Sequence, residues 1–468
     1  MITRLPLRIG ENVAVEITGL THGGDGVGRH MGVTVFVPLT VPGDKVIAEI
    51  SEIKRNFARG KLKMICAGAQ SRREPLCPVY ARCGGCGLQQ MAYEEQLKQK
   101  TRMVKDSLAR ISRLYEVEVK ETIGTEYPWH YRNKASYHVE EKQGGVSLGF
   151  YERGTHRLVY NADEEGIARN GPRCLLVDED LNKTAEVIET VLNKYRVEVY
   201  KHRRRRGLLR QVVLRKANAT GECMAVLVTG PGEWPEEKTI AADLLKQLPA
   251  LTSLIRNIHH GPEGIEMGLE NRLLAGQEYM TDCIESLAFR ISAASFYQVN
   301  PHQTPVLYNK ALEYAGLTGG ETVVDAYSGT GTIALFFAGH AGMVYGLEVV
   351  PGAVEDAREN ALLNGIKNAE FLHGEVEKLL PALATQGLRP DVVVLDPPRR
   401  GCRVAALEAL ADMEAPRVVY VSCDPGTLAR DLGYLAGKGY AIEEVQPVDM
   451  FPWTTHVEAI VLLQRQKP

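Results

Sequence analysis

The chain has 468 residues, too many for one ordinary domain, and two or three are expected. An apolar share of 44% and a charged share of 24% fit folded globular domains and exclude a disordered chain. With a net charge of −3, a nucleic-acid partner has to be met by local basic patches. No apolar run approaches the roughly 20 residues that span a bilayer. The opening MITRLPLRIG lacks an apolar core followed by a cleavage site, so a cytoplasmic location is expected. Nine cysteines, an odd number and partly clustered, point to metal binding or catalysis before a disulfide framework.

Residues 10–66 alternate short β-rich runs (Val13–Ile17, Thr34–Val37, Lys45–Ile50, Gly60–Ile65) with glycine-rich turns. The stretch Gly23–Gly28 reads as a long turn and Pro42–Gly43–Asp44 as a tight one. About five strands at this spacing suggest a small barrel of the oligonucleotide-binding type. Down to Phe36–Val37–Pro38 before Pro42–Gly43–Asp44, the pattern resembles the TRAM domain, an RNA-binding module. Lys54, Arg55, Arg59, Lys61 and Lys63 would contact phosphates, or else form a solvated charged face. The barrel is expected to fill residues 1–68.

Cys77-x5-Cys83-Gly-Gly-Cys86-Gly follows, three thiols among glycines that let the backbone wrap a ligand. The fourth member is sought in Cys174, at the turn Asn170–Gly171–Pro172–Arg173. Four cysteines suit zinc or an iron–sulfur cluster, and spacing does not decide between them. Residues 94–113 read as an amphipathic helix with Leu97, Val104, Leu108 and Ile111 on one side. From Tyr131 to Val228 the pattern is β-rich, broken by a helix around Leu181–Tyr195. Lys201–Lys216 holds eight Lys or Arg and no acid, including Arg203–Arg206 ahead of the strand-like Leu208–Leu214. This is the best electrostatic footprint for RNA in the chain, the alternative being a solvated hairpin. The central unit, of α+β character, is expected over 69–285.

After about residue 285 strand and helix alternate, the pattern of a doubly wound α/β domain over 286–468. Glu321–Asp325 is a strand, Tyr327–Thr332 a glycine turn, and Ile333–Ala338 the start of a helix. The next strand, Met343–Leu347, ends on Glu348, which can accept hydrogen bonds from two ribose hydroxyls. The unit fits NAD as well as S-adenosylmethionine, because Gly329-x-Gly331-x-x-Ala334 nearly matches the dinucleotide fingerprint. The strand Asp391–Leu395 runs into Asp396–Pro397–Pro398–Arg399–Arg400–Gly401, a rigid, donor-poor edge suited to holding a flat base. Amino-group methyltransferases place a stacking aromatic after the prolines; Arg399 stands there instead. Val418–Val421 is a buried strand that delivers Ser422–Cys423–Asp424–Pro425, with Thr427 as a candidate helix N-cap. A thiol at that strand end, beside a helix N-terminus, is expected to be exposed and biased toward thiolate.

Asp396–Gly401, Val419–Thr427 and Asp449–Met–Phe–Pro–Trp–Thr–Thr–His–Val–Glu458 together resemble the signature of the RNA (uracil-5-)-methyltransferase family. The barrel and the four cysteines resemble its branch acting on 23S ribosomal RNA, whose members bind a [4Fe–4S] cluster. The resemblance implies a Rossmann-like catalytic domain, S-adenosylmethionine as methyl donor and RNA as partner. It places Cys423 as the nucleophile adding to uracil C6 and Glu458 as the base removing the C5 proton. It sets Gln298, Tyr327, Glu348 and Asp396 around the donor, and Cys77, Cys83, Cys86 and Cys174 around the cluster. Three positions depart from the family pattern: Asp424 where many members have Asn, Trp453 where Gln, His or Tyr is usual, and Thr332 where Asn stands in the glycine turn. A transfer-RNA uridine methyltransferase, a non-catalytic RNA-binding protein and an iron–sulfur redox sensor are the competing readings.

Overall fold

Alternating buried and exposed side chains mark five strands, β1 (Asn12–Leu20), β2 (Gly26–His30), β3 (Val33–Val37), β4 (Lys45–Ile53) and β5 (Phe57–Ala67). They close into a barrel in the order β1-β2-β3-β5-β4 around Val15, Ile17, Val35, Val46 and Ile50. The stretch 23–28, expected as one turn, is a turn only as far as Asp25, and Gly26 and Gly28 lie inside β2. A narrow barrel explains them: a Cβ at Gly26 would collide with Thr40 and Ile17, and one at Gly28 with Val15 and the Glu16 carbonyl. Three of the five expected phosphate contacts are paired within the barrel: Lys54 with Glu52, Arg59 with Asp25 and Lys63 with Glu49.

The structure, a computed structural model, describes residues 6–142, 144–159, 173–201, 204–261 and 266–466. Helix α1 (Tyr93–Ser107) continues into one π turn, residues 108–112. Its buried face carries Gln96, Lys100, Met103 and Val104, whereas Ile111 is exposed and Leu97 only half-buried. The π turn's wider hydrogen-bonding rotates the last residues off the expected apolar stripe.

A six-stranded sheet follows, from β6 (Lys134–Lys142), β7 (Gly145–Gly149), β8 (Leu209–Lys216), β9 (Cys223–Thr229), β10 (Leu251–Ile258) and β11 (Glu270–Gly276). Its order is β11-β10-β9-β8-β6-β7. Helices α2 (Glu179–Lys194), capped by Asp178, and α3 (Glu237–Gln247) pack on it through Ile188, Leu192, Ile240 and Leu244. The basic run divides here. Arg215 is buried and donates to the carbonyls of Ala293 and Ser295, Lys216 pairs with Asp178 and Asp180, and Arg210 donates to the carbonyls of His259 and Gly261. Lys201 and Arg204–Arg206 remain exposed, with Lys201 paired to Glu141; Arg203 and the turn residues 170–172 lie outside the described residues.

The hairpin β12 (Tyr279–Ile284) and β13 (Leu287–Ser292) has its turn at residue 285, and α4 (Thr304–Ala315) leads into the last sheet. That sheet alternates β14 (Thr322–Asp325), α5 (Thr332–Ala338), β15 (Met343–Glu348), α6 (Pro351–Leu363), β16 (Ala369–His373) and α7 (Val376–Thr385). It continues through β17 (Val392–Leu395), α8 (Val404–Met413), β18 (Arg417–Ser422), α9 (Pro425–Ala436), β19 (Tyr440–Val448) and β20 (Glu458–Arg465). The order is β16-β15-β14-β17-β18-β20-β19, with β20 antiparallel to both neighbours. The chain order reverses between β14 and β17, the switch point where open α/β sheets bind ligands. α1 and its π turn pack on α9 and β19, elements that follow them by over 300 residues. Lys100 and Asp449 form the fixing ion pair, 2.6 Å long with neither side chain exposed; Tyr93 also donates to Asp449, and Lys100 to the Phe451 carbonyl.

Candidate active site

Strand register brings the candidate catalytic residues together. β18 and β20 pair Ser422 with Ala459, so the next residues, Cys423 and Glu458, face each other at the sheet edge. β17 pairs Leu395 with Tyr420 and therefore ends with Asp396 at the same edge. Burial and the Glu458 and Asp396 carboxylates push the Cys423 thiol up to about 12, opposed by the Arg399 guanidinium. Burial, then Asp396, raises Glu458 to about 8, and burial raises Asp396 to about 7. Arg399 also approaches His456, 3.4 Å from Nη2 to Nε2.

The expectation of a thiolate favoured by the helix N-terminus is corrected. Asp424, not Thr427, is the N-cap of α9: its Oδ1 accepts from the amides of Gly426 and Thr427 at 2.9 Å each. Those amides are the positive end of the helix, and a carboxylate already occupies them. Thr427 sits inside the first turn and donates its hydroxyl to the Arg399 carbonyl, 3.1 Å away. Asp431, not singled out from the sequence, ties the Asp396 loop to α9: its Oδ2 accepts from the Cys402 amide at 2.8 Å and the Tyr420 hydroxyl at 2.7 Å. The available signal was an acid within the apolar stripe Leu428, Leu432 and Leu435.

The nucleoside candidates separate. Tyr327 and Glu348 line one cavity of about 110 Å³ with Val349, Val376 and Pro398. Glu348 Oε2 accepts from the Gly329 amide at 3.0 Å and Oε1 from the Val350 amide at 2.7 Å, which aims the carboxylate along the strand end. Gly331, at φ +83, passes so close to Phe371 and Ala357 that a Cβ would touch both. Gln298 does not line this cavity; it is buried near Tyr308, whose hydroxyl meets Thr332 Oγ1 at 2.8 Å. Asp325, missed from the sequence, is pushed up to about 7 by burial and by Asp396. An apolar wall with Glu348, Glu375 and Glu377, beside Arg400 and Arg403, fits a nucleoside such as that of S-adenosylmethionine.

Cys77, Cys83, Cys86 and Cys174 line one cavity of about 490 Å³, together with Arg132 and His456. Among the described residues, no three His, Cys, Asp or Glu side chains are gathered as they would be around a single metal ion. Burial and neighbouring sulfurs push Cys86 up to about 12, and burial raises Cys77 and Cys174. The Gly85 amide reaches Cys83 Sγ at 3.4 Å and Gln89 Nε2 reaches Cys86 Sγ at 3.2 Å. Four half-buried sulfurs with N–H donors around one space are a soft donor set, and a polynuclear cluster takes its thiolates on separate irons, farther apart than ligands of one ion. The residues fit such a group.

The fold as a whole is that of the tRNA (uracil-54, C5)-methyltransferase of Pyrococcus abyssi, solved with S-adenosyl-L-homocysteine: TM-score 0.73, 24% identity, 96% of this chain and 100% of that one. That likeness is one of fold. Residues 245–466 match the tRNA (uracil-5-)-methyltransferase family and residues 6–63 the TRAM domain. RNA methyltransferases of Halalkalibacterium halodurans and Caldanaerobacter subterraneus are each 43% identical over 459 residues, covering 98% of this chain and 98% and 99% of theirs. This chain belongs to the RNA uracil-5-methyltransferase family.

Proposed function

We propose that the protein methylates C5 of a uridine in 23S ribosomal RNA through a covalent intermediate on Cys423. The observation that carries this reading is the facing of Cys423 and Glu458 across the β18–β20 register, with Asp396 at the neighbouring strand end. Uracil C5 is too weak a carbon nucleophile to attack a methylsulfonium. Addition of the Cys423 thiolate at C6 makes C5 enolate-like, and C5 takes the methyl group from S-adenosylmethionine, releasing S-adenosylhomocysteine. Glu458 then accepts the C5 proton, the C6–S bond breaks, and the double bond returns. Arg399 bears on both the thiol and Glu458, and it favours thiolate over thiol. Tyr327 and Glu348 would hold the nucleoside of the donor, Asp396 would lie between donor and uracil edge, and Gln298 would approach from the Tyr308 side.

The base reaches the thiol only by leaving its stack, at a cost of roughly a few kcal/mol. The barrel and exposed Arg204–Arg206 would offset that by gripping flanking RNA. Cys77, Cys83, Cys86 and Cys174 would hold a [4Fe–4S] cluster, which as bound would supply a rigid crosslink between the cysteine loop and the central sheet. The barrel with four cysteines supports the ribosomal branch; transfer RNA is the second reading, favoured by the description of the matching family. Mass mapping of 5-methyluridine in both RNAs from cells lacking the protein decides: loss at a 23S uridine supports the first, loss only in transfer RNA the second.

A further inference from the structure

Glu458 opens β20, and the nine residues before it, 449–457, form the connection from β19. A connection of that length is ordinarily mobile. Here it is seized by distant parts of the chain. Trp453 adopts φ +66, a left-handed backbone unusual for a large side chain. That turn presents its carbonyl to the amides of Gly87 and Leu88, 3.1 Å each, directly after Cys86. Its amide donates to Gln96 Oε1 at 3.2 Å, its indole N–H to the Pro128 carbonyl at 2.8 Å, and its ring stacks on Trp129 at 4.3 Å.

Two residues on, Thr455 packs against two neighbouring glycines. A Cβ at Gly87 would lie 2.8 Å from Thr455 Cγ2, and one at Gly24, in the barrel turn before β2, 2.6 Å from the same atom. Gly24 has φ +84, so its backbone requires glycine in any case; Gly87 does not, and close approach alone accounts for it. The cysteine loop, the barrel turn and the catalytic connection thus meet on one methyl group, three residues before Glu458. Cys423 is held by β18 and the Asp424 cap, which His22 of the barrel also approaches, whereas the Gly87 contact falls on Thr455.

We infer that the contact of Gly87 on Thr455 positions Glu458, so that the cysteine loop acts on removal of the C5 proton and not on attack by the thiol. Thr455 and Gly87 are positioning residues in this scheme, which rests on the covalent mechanism proposed above.

Gly87→Ala presses on Thr455 Cγ2 without altering a sulfur, the nucleophile or the donor cleft, and Thr455→Ser deletes that methyl. The full chain is mixed with substrate RNA and S-adenosylmethionine labelled in the methyl group. Formation and decay of the denaturation-resistant, labelled protein–RNA adduct are then followed. In Gly87→Ala, adduct forms at the wild-type rate and decays between about tenfold and a hundredfold more slowly, the range expected when a reacting group is misplaced by a fraction of an ångström to an ångström. Thr455→Ser, which loses the contact without the pressure, slows decay by less than about fivefold, and the double variant decays no more slowly than Thr455→Ser alone, the sign of a direct coupling. Trp453→Phe, which drops the indole bond to Pro128, gives a weaker accumulation and stands in should Gly87→Ala not fold. Normal decay in Gly87→Ala, equal slowing of formation and decay, or no rescue by Thr455→Ser overturns the inference. A wild type that forms neither adduct nor 5-methyluridine overturns the mechanism beneath it instead.

Discussion

His22 of the barrel lies 3.6 Å from Asp424, Nε2 to Oδ2, while the other oxygen of Asp424 caps α9 one residue after the candidate nucleophile. Asparagine offers the same capping oxygen, so Asp424→Asn should keep both the helix and the methyl transfer. Asp424→Ala should cost about 1 kcal/mol, lowering the melting temperature by about 2–4 °C. Calorimetry of the two variants checks this, and an equal loss in both would show that the ion contact to His22, not the cap, supports the fold.

Cys423→Ala should abolish methylation while leaving S-adenosylmethionine affinity within about twofold. Glu458→Gln should add to C6 and methylate C5, then stall. Denaturing gels should therefore show a protein–RNA adduct with Glu458→Gln and none with Cys423→Ala. Turnover by the alanine variant would remove the thiol from the mechanism.

Glu458 must be ionised to accept the C5 proton, and its surroundings push it up to about 8. Below that pH the ionised fraction falls about tenfold per unit, so decay of the adduct should quicken with pH and level off near 8. Cys423, pushed up to about 12, has no such plateau in the accessible range, and adduct formation should still be rising at pH 9. Single-turnover rates across pH 6–9 separate the two; a shared plateau would mean that one group limits both steps.

Protein purified without oxygen should be brown and contain about four irons per chain. Serine at any of Cys77, Cys83, Cys86 or Cys174 should lower the iron content, whereas serine at Cys66 or Cys283, which lie outside that cavity, should not. Iron analysis and visible absorption are the measurements, and stoichiometric zinc without iron would rule the cluster out.

Neutralising Arg204–Arg206, which are exposed, should weaken RNA binding and flatten its salt dependence, because fewer counterions are released. Methyl transfer at saturating RNA should change little. Binding to one RNA over a salt series gives the slopes, and equal slopes would leave the barrel as the main RNA grip.

Local pattern carried much of this structure. The strands ending on Asp325, Glu348, Leu395 and Ser422 stood out as short apolar runs before turn residues, because a parallel strand buried on both faces has no polar positions to blur it. Gly26 and Gly28 were misread as turn because glycine's two uses, positive φ and close packing, look alike in sequence. The basic run misled through composition: Arg215 and Lys216 face inward on β8 to carbonyls and acids contributed by residues 178, 180, 293 and 295. Thr427 reads as the cap when the turn is expected to run through Pro425, whereas Asp424 already caps the helix and Pro425 opens it. No periodicity links α1 to the connection before β20, for that contact depends on side chains hundreds of residues apart.

Lys100 and Asp449 are separated by 349 residues. At the roughly 5–20 residues per second of synthesis, the lysine leaves the ribosome about 17 to 70 s before its counter-ion exists. Its charge cannot be buried alone in that interval, so α1 waits in water while the barrel and central sheet form beside it. Glu458, the proposed proton acceptor, follows Asp449 by nine residues, so on this reading the site is completed only with β20, the last strand of the sheet to be made.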